Sequence, residues 1–325
     1  MSDFAAVFVG RHPRLTAYVD ADEANSQAEL LRANDLDALN AKVLASPSAE
    51  VLDVIAEHNM AAMLVCRGFT NLQHEPPSMS RPVDLVGMFA GLYYRVEVKR
   101  LAASAHDTMQ SNVMSTLNAA LTSRTESIFI QLFLRESFEA TDINALVRHV
   151  QRALDQPRTD ETYTFGPDKE EIAWYKFRRA ANATRPRVAA LADVDMRDVT
   201  GAEASRIRSK VKRAYDKFKT STDDRAVHLI ALEVDNTIHL AHVAEALYGR
   251  EYTGSKGRGR HPDGVFSKGL HSRLGGLVVA RRAERFRVFC PYTFTLFGNP
   301  GGALDIPRVS QALGVEQVLG PHDFP

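Results

Sequence analysis

The sequence predicts a mixed α/β fold in which one β-hairpin carries the chemistry. Three observations lead there. Apolar positions change along the chain from a helical period to strict alternation. Two β-rich runs, VDLVGMF (83–89) and LYYRVEVKR (92–100), flank the dipeptide Ala90-Gly91 as the arms of a hairpin flank its turn. Segments of helix-forming composition stand on both sides of that pair, the pattern of helices packed on a sheet.

In chain order, residues 21–45 are rich in Ala, Leu, Glu and Asn and are expected to be helical. Ser46-Pro47 restarts a helix that runs to about residue 58, since proline suits a first turn. The apolar run 61–66 is a strand by its length. Residues 71–82 (NLQHEPPSMSRP) form a loop, because three prolines among polar residues continue neither element. The hairpin comes next, then a helix at 104–121, a strand at 127–134 (SIFIQLFL) and a helix from Thr141 or Asp142 to 154. The order is helix, strand, hairpin, helix, strand, helix. A connection at 157–167 places the boundary, giving N-terminal helices plus a core over 1–158 and an α+β half over 159–325. In that half, 170–182 and 202–218 read as helices, 227–234 as a strand and 238–248 as a helix. Residues 253–264 read as a basic glycine-rich loop and 277–281 with 285–290 as a second hairpin, before a Pro/Gly-rich tail.

Composition bounds the function classes. With 45% hydrophobic and 25% charged residues the chain can bury a large core and is not a disordered one. It contains no run of eighteen apolar residues, and MSDFAAVFVGRHPRL lacks the basic-then-apolar build of a signal peptide, so a cytoplasmic protein with no membrane partner is expected. Cys66 and Cys290 stand far apart without CxxC spacing, which supports neither a disulfide framework nor a zinc knuckle and predicts two reduced core residues. There is no GxxxxGK[ST], HExxH or GxSxG, and Gly254, Gly257 and Gly259 open no strand–helix unit. His239 and His242 lack a third ligand nearby and read as surface or capping residues.

The hairpin is the informative segment. With Ala90-Gly91 as a two-residue turn, facing positions sum to 181, so Asp84 faces Glu97, their Cβ atoms about 4.5–5.5 Å apart. Alternation puts Asp84, Val86, Arg95, Glu97 and Lys99 on one face and Leu85, Tyr94, Val96 and Val98 on the other. Two facing carboxylates among apolar neighbours destabilise a sheet unless something pairs with them. A Mg²⁺ ion, with Mn²⁺ as its substitute, resolves that cost: it takes one or two protein carboxylates and keeps its remaining positions for water and a phosphate oxygen. The Val98 carbonyl offers a further oxygen. Lys99 is placed to orient an attacking water or to neutralise developing charge, which together describe phosphodiester hydrolysis. Glu-x-Lys alone is an ordinary surface ion pair. The facing aspartate, the proline before it and the succeeding helix and apolar strand are what raise it above that.

Pro82-Val83-Asp84 followed by Glu97-Val98-Lys99 resembles the signature of the PD-(D/E)XK, or restriction-endonuclease-like, nuclease superfamily. The resemblance implies an α-β-β-β-α-β core, which the order above matches from about residue 46 to 134. It also implies metal binding by Asp84 and Glu97 and assistance to the attacking water by Lys99, hence a hydrolase acting on DNA before RNA. Two departures stand: Val83 separates Pro82 from Asp84, and Gln110 is followed by Met114 where one branch of the superfamily has tyrosine. Some members recruit a carboxylate from the helix before the sheet, a role that would fall to Glu57. Gln131 interrupts an apolar strand and is a further polar candidate.

Forty basic and forty acidic residues give a formal net charge of zero, but they are unevenly placed. Acids dominate from Asp20 to Glu57, whereas bases dominate from Arg206 to Lys219. At 100° per residue Arg206, Lys210, Arg213 and Lys217 form one stripe beside the apolar stripe Ile207, Val211, Ala214 and Phe218. With Lys256, Arg258 and Arg260 these are the candidate nucleic-acid contacts. The sequence leaves two other readings open: a catalytically inactive nuclease-fold binding or regulatory module, and an α/β protein with an accidental Glu-x-Lys whose basic helix binds another protein or nucleic acid. It leaves homo-oligomer formation open too.

Overall fold

The computed structural model describes residues 3–76, 82–101, 105–135, 138–159, 161–166, 171–179, 186–190, 202–219, 226–234, 238–254, 257–267, 271–284, 287–302, 306–321 and 323. Contacts divide the chain into two compact units, one of Met1–Ala102 with Gly201–Pro325 and one of Ala103–Thr200.

The larger unit begins with α1 (Phe4–Arg11), α2 (Ala21–Arg32), α3 (Asp37–Ala45) and α4 (Val51–Cys66). Asp3 caps α1 by accepting from the Ala6 N–H, and Asp20 caps α2 by accepting from Asp22 and Glu23. The single helix expected over 21–45 is two, broken where Asp35 takes a φ of 61°. Residues 61–66, expected as a strand, are the last six residues of α4. Ala, Met and Leu are good helix formers, and a helix buried on most sides shows no period by which a short apolar run could be told from a strand.

β1 (Thr70–His74) overlaps the start of the expected loop and pairs antiparallel with β2 (Leu85–Phe89), with a bulge between Thr70 and Gln73. Its polar composition gave no alternating signal. β2 pairs with β3 (Leu92–Leu101) through Leu85↔Val96, Val86↔Arg95 and Met88↔Tyr93, a register summing to 181. Ala90 and Gly91 have φ of 47° and 77°, the two positive values a type I′ turn needs.

After β3 the chain enters the smaller unit: α5 (Ala105–Ala120), β4 (Ile128–Leu134), α6 (Ile143–Leu154), β5 (Thr162–Phe165), β6 (Ala173–Arg179) and β7 (Arg187–Ala190). Among the described residues it holds a four-stranded sheet in the order β5-β6-β4-β7. Val113 and Leu117 of α5 and Leu146 and Val150 of α6 bury one side of it, packing with Ile130, Leu132, Tyr175 and Phe177. Three expectations are corrected here. α5 and β4 do not extend the sheet of the hairpin. Residues 173–179, expected as helix, are a strand whose burial alternates from Ala173 to Phe177. The boundary expected after residue 158 falls within this unit, between α6 and β5.

The chain returns to the larger unit with α7 (Ala202–Tyr215), β8 (Ala226–Val234), α8 (Leu240–Tyr248), β9 (Glu251–Gly254), β10 (Gly257–Arg260), β11 (Gly276–Arg282), β12 (Tyr292–Gly298), α9 (Ile306–Leu313) and β13 (Gln317–Leu319). β9 and β10 pair as a ribbon where a loop was expected. The partner of β11 is β12, not residues 285–290, and the tail carries α9 and β13. Among the described residues the main sheet has seven strands in the order β1-β2-β3-β8-β11-β12-β13, with β8 parallel to both β3 and β11.

Alternation along these strands gives the sheet two apolar faces. Leu85, Val96, Val98, Leu229, Ala231 and Val278 pack with α4 and α9. Val86, Ile230, Leu232, Leu277 and Val279 pack with α7 and α8. Asp84, Glu97 and Lys99 belong to the second set of positions, so β3 is covered on both sides, as its parallel pairing with β8 requires. Among the described residues no helix is long and apolar enough to cross a membrane. Both cysteines are free; Cys290 is buried, but Cys66, expected in the core, is exposed at the end of α4.

Candidate metal centre

Asp84 stands immediately before β2, and the hairpin register carried one step further sets it against Glu97. Its backbone carbonyl accepts from the Glu75 N–H at 3.0 Å, which ties it to the end of β1. Its side chain turns across to β3, where Oδ2 accepts from the Val98 N–H at 2.7 Å. Glu97 sits mid-strand in β3, next to Ile230 of β8. Its side chain is 0% exposed and that of Asp84 4%, so the two carboxylates lie in the interior of the sheet layer.

Two ammonium groups meet them. Lys99 Nζ lies 2.5 Å from Glu97 Oε1 and donates to Asp84 Oδ2 at 3.2 Å and to the Val98 carbonyl at 2.8 Å. Lys217 Nζ lies 2.9 Å from the same Glu97 Oε1 and 3.3 Å from Asp84 Oδ1. Toward Glu97 both contacts are ion pairs by distance, and both lysines pull its carboxyl down as charged partners. Both oxygens are buried, a costly state for a carboxylate that is not paired, and among the described residues the two ammonium groups are what pairs it. Burial, and after it the Asp84 charge, pushes the Glu97 carboxyl up to about 7, against the downward pull of Lys99 and Lys217. Burial acts to lower the Lys217 ammonium, but Asp84 and Glu97 together outweigh it and raise it above its ordinary value.

The donor set fits a hard cation. Among the described residues it consists of oxygens, two carboxylates and a backbone carbonyl, with neither sulfur nor imidazole. Asp84, Glu97 and Lys99 are brought together on one face, with the Val98 backbone carbonyl beside them. Glu57 is not joined to them: it pairs with Lys42 at 2.8 Å and with His74 at 2.9 Å, and no hydrogen bond or ion pair links it to Asp84 or Glu97 among the described residues. Ligand atoms of Glu57, His74 and Glu75 lie within 4.8 Å of one another, but the Lys42 ammonium already contacts all three. Gln131 lies on β4 in the smaller unit, where Arg178 donates to it at 3.4 Å.

The expected cationic stripe is only partly a stripe. Arg206 is paired with Glu203, Lys210 is half-buried and Arg213 exposed, whereas Lys217 leaves the row for the carboxylates. Arg260 spends its guanidinium on the carbonyls of Gly249 at 2.9 Å and Pro321 at 3.1 Å, a structural use. Lys256 lies outside the described residues, and Arg258 is placed by its backbone in β10. The part of Lys217 in the centre had no local signal, since 133 positions separate it from Asp84. No family model, curated protein or solved structure matches the chain.

Proposed function

We propose that this chain is a metal-dependent nuclease that hydrolyses phosphodiester bonds in DNA, and in RNA as the second substrate, with Asp84 and Glu97 holding Mg²⁺ or Mn²⁺ and Lys99 assisting the attacking water. The observation that carries the reading is the buried Asp84/Glu97 pair on one sheet face, whose burial and mutual repulsion push the Glu97 carboxyl up to about 7. Evolution tolerates such an arrangement where a ligand completes it.

The element order supports the same reading. α4, β1, β2, β3, α7 and β8 follow one another as α-β-β-β-α-β, with β8 parallel to β3 and the smaller unit inserted in sequence between β3 and α7. A restriction-endonuclease-like core built from these elements differs from the one expected over residues 46–134, since its last helix and strand come from beyond residue 200.

A divalent ion bound there would lower the pKa of a coordinated water and stabilise charge on the phosphoryl oxygens. The chain's own groups do the rest. Asp84 is oriented by the Val98 N–H, and Lys99, braced by the Val98 carbonyl, has an ammonium at hand for the attacking water or the developing anion. Hydrolysis forms a phosphorus–oxygen bond from water and breaks the ester bond, whose leaving oxygen takes a proton.

Lys99 and Lys217 balance both carboxylates without any ion, and this favours a second reading: a catalytically inactive nuclease-fold module that binds without cutting. Incubating the purified chain with supercoiled DNA, linear DNA and RNA in Mg²⁺, Mn²⁺ or EDTA separates the two. Cleavage that needs the metal and disappears in Asp84→Asn and Glu97→Gln supports the enzyme. Nucleic-acid binding with no cleavage in any metal supports the inactive module.

A further inference from the structure

The geometry points to Lys217 as the resident cation of the Asp84/Glu97 pair, one that a divalent ion has to displace in order to bind; this rests on the metal-site reading above. Lys217 follows α7 in a turn, anchored by its N–H to the Ala214 carbonyl at 3.2 Å, and its neighbour Phe218 is buried in the core on the α7 side. From there its side chain reaches Asp84 Oδ1 at 3.3 Å and Glu97 Oε1 at 2.9 Å, bridging the two residues that would hold a metal.

The two lysines of the centre are not equivalent. Lys99 keeps a neutral acceptor, the Val98 carbonyl at 2.8 Å, whatever happens to the carboxylates. Among the described residues Lys217 Nζ has only Asp84 and Glu97. A dication on those carboxylates removes both of its partners and repels it at short range, and at the moderate effective permittivity of a partly buried site that repulsion is far above thermal energy. The side chain of Lys217 is 33% exposed and so has a route to water. Once displaced it remains tethered beside the metal, where a non-bridging phosphate oxygen of a bound strand is the natural acceptor for its ammonium. Lys217 therefore holds the empty centre together by neutralising it, sets how tightly a divalent ion binds, and is freed for the substrate when the ion arrives.

The test is calorimetric titration of Mn²⁺ into EDTA-stripped full-length protein at pH 8, comparing wild type with Lys217→Met, Lys217→Gln, Lys217→Arg and the double variant Lys217→Met with Asp84→Asn. Removing the competing charge should tighten Mn²⁺ binding by about tenfold or more in both neutral variants, while Lys217→Arg stays near wild type. The double variant should lose the gain. A residue of purely structural use would weaken the centre when removed, so equal or weaker affinity in folded Lys217→Met or Lys217→Gln overturns the inference. Absence of Mn²⁺ binding in wild type and neutral variants alike overturns the metal site itself, and the inference falls with it.

Discussion

The Val98 N–H donates to Asp84 Oδ2 at 2.7 Å, a bond that crosses the open end of the hairpin just beyond its ladder. It fixes the aspartate side chain without using Oδ1, which is left to Lys217 at 3.3 Å. A backbone donor cannot be removed by a neighbouring side-chain change, so Asp84 is held by the strand itself.

Asp84→Asn retains an oxygen for the Val98 N–H and should fold. Glu97→Gln removes a buried charge that burial and Asp84 disfavour, a penalty present from pH 4.5 upward and full above about 7, so with EDTA at pH 8 it should melt at or above the wild-type temperature. Each should weaken Mn²⁺ binding on the order of 100-fold or more, since even groups that only support metal ligands cost about 10–100-fold when removed. Calorimetry and a melting curve on the same samples check both halves; wild-type metal affinity in either variant would move the metal elsewhere.

Lys99→Met should lower kcat on the order of 100–1,000-fold, the usual cost of losing one group that stabilises developing charge, while Mn²⁺ affinity changes much less. Lys99 touches both carboxylates, so an equal fall in metal affinity and turnover would reassign it from the reaction to the assembly of the centre.

How much of this the sequence announces depends on distance along the chain. The hairpin, its turn and its register were legible because Ala90-Gly91 and the alternation around it are local, and the observed pairs sum to 181 as the turn requires. The helix of residues 202–215 and the strand of 226–234 were legible as elements for the same reason. Their place was not: no local pattern says that β3 takes as its parallel neighbour a strand lying beyond an inserted unit. Lys217 belongs to the same class of silence, for its helical spacing put it in a solvent-facing row while the tertiary fold turned it inward. Residues 61–66 and 173–179 failed differently. A helix buried nearly all round and a strand carrying Lys176, Arg178 and Arg179 each mimic the other's composition, and only packing decides between them.

Acid should destabilise the larger unit through His58. Its ring is fully buried between Phe4 and Phe289, with Nε2 against Asn40 Oδ1 at 2.9 Å and Nδ1 without a partner. Burial pushes its pKa from 6.5 down to about 3, so between those values the unfolded chain binds the proton and the folded one does not. The contribution of the neutral ring is present in full above pH 6.5 and is lost as pH falls toward 3, on the order of several kcal/mol in all. His58→Gln keeps a donor for Asn40 but cannot titrate. Urea midpoints measured from pH 7 to pH 4 should fall more steeply for wild type than for this variant; parallel slopes would mean that the ring is protonated without unfolding.

The exposed side of α7 gives the last expectation. Ile207, Val211 and Ala214 are fully buried, and the flank beside them, with Arg213 exposed and Lys210 half-buried, faces outward where it can track a phosphate backbone. Lys217 is occupied by Asp84 and Glu97 and should not contribute while the centre is empty of metal. If the strand being cut lies along this side, duplex affinity in EDTA should fall steeply with salt. The double variant Lys210→Gln with Arg213→Gln should then flatten the log–log salt slope by about 0.9 for each phosphate that is no longer neutralised, with base preference unchanged. Fluorescence anisotropy over a salt series measures this directly. An unaltered slope and affinity would make Lys210 and Arg213 merely the solvated side of a helix whose work is to carry Lys217 to the carboxylates.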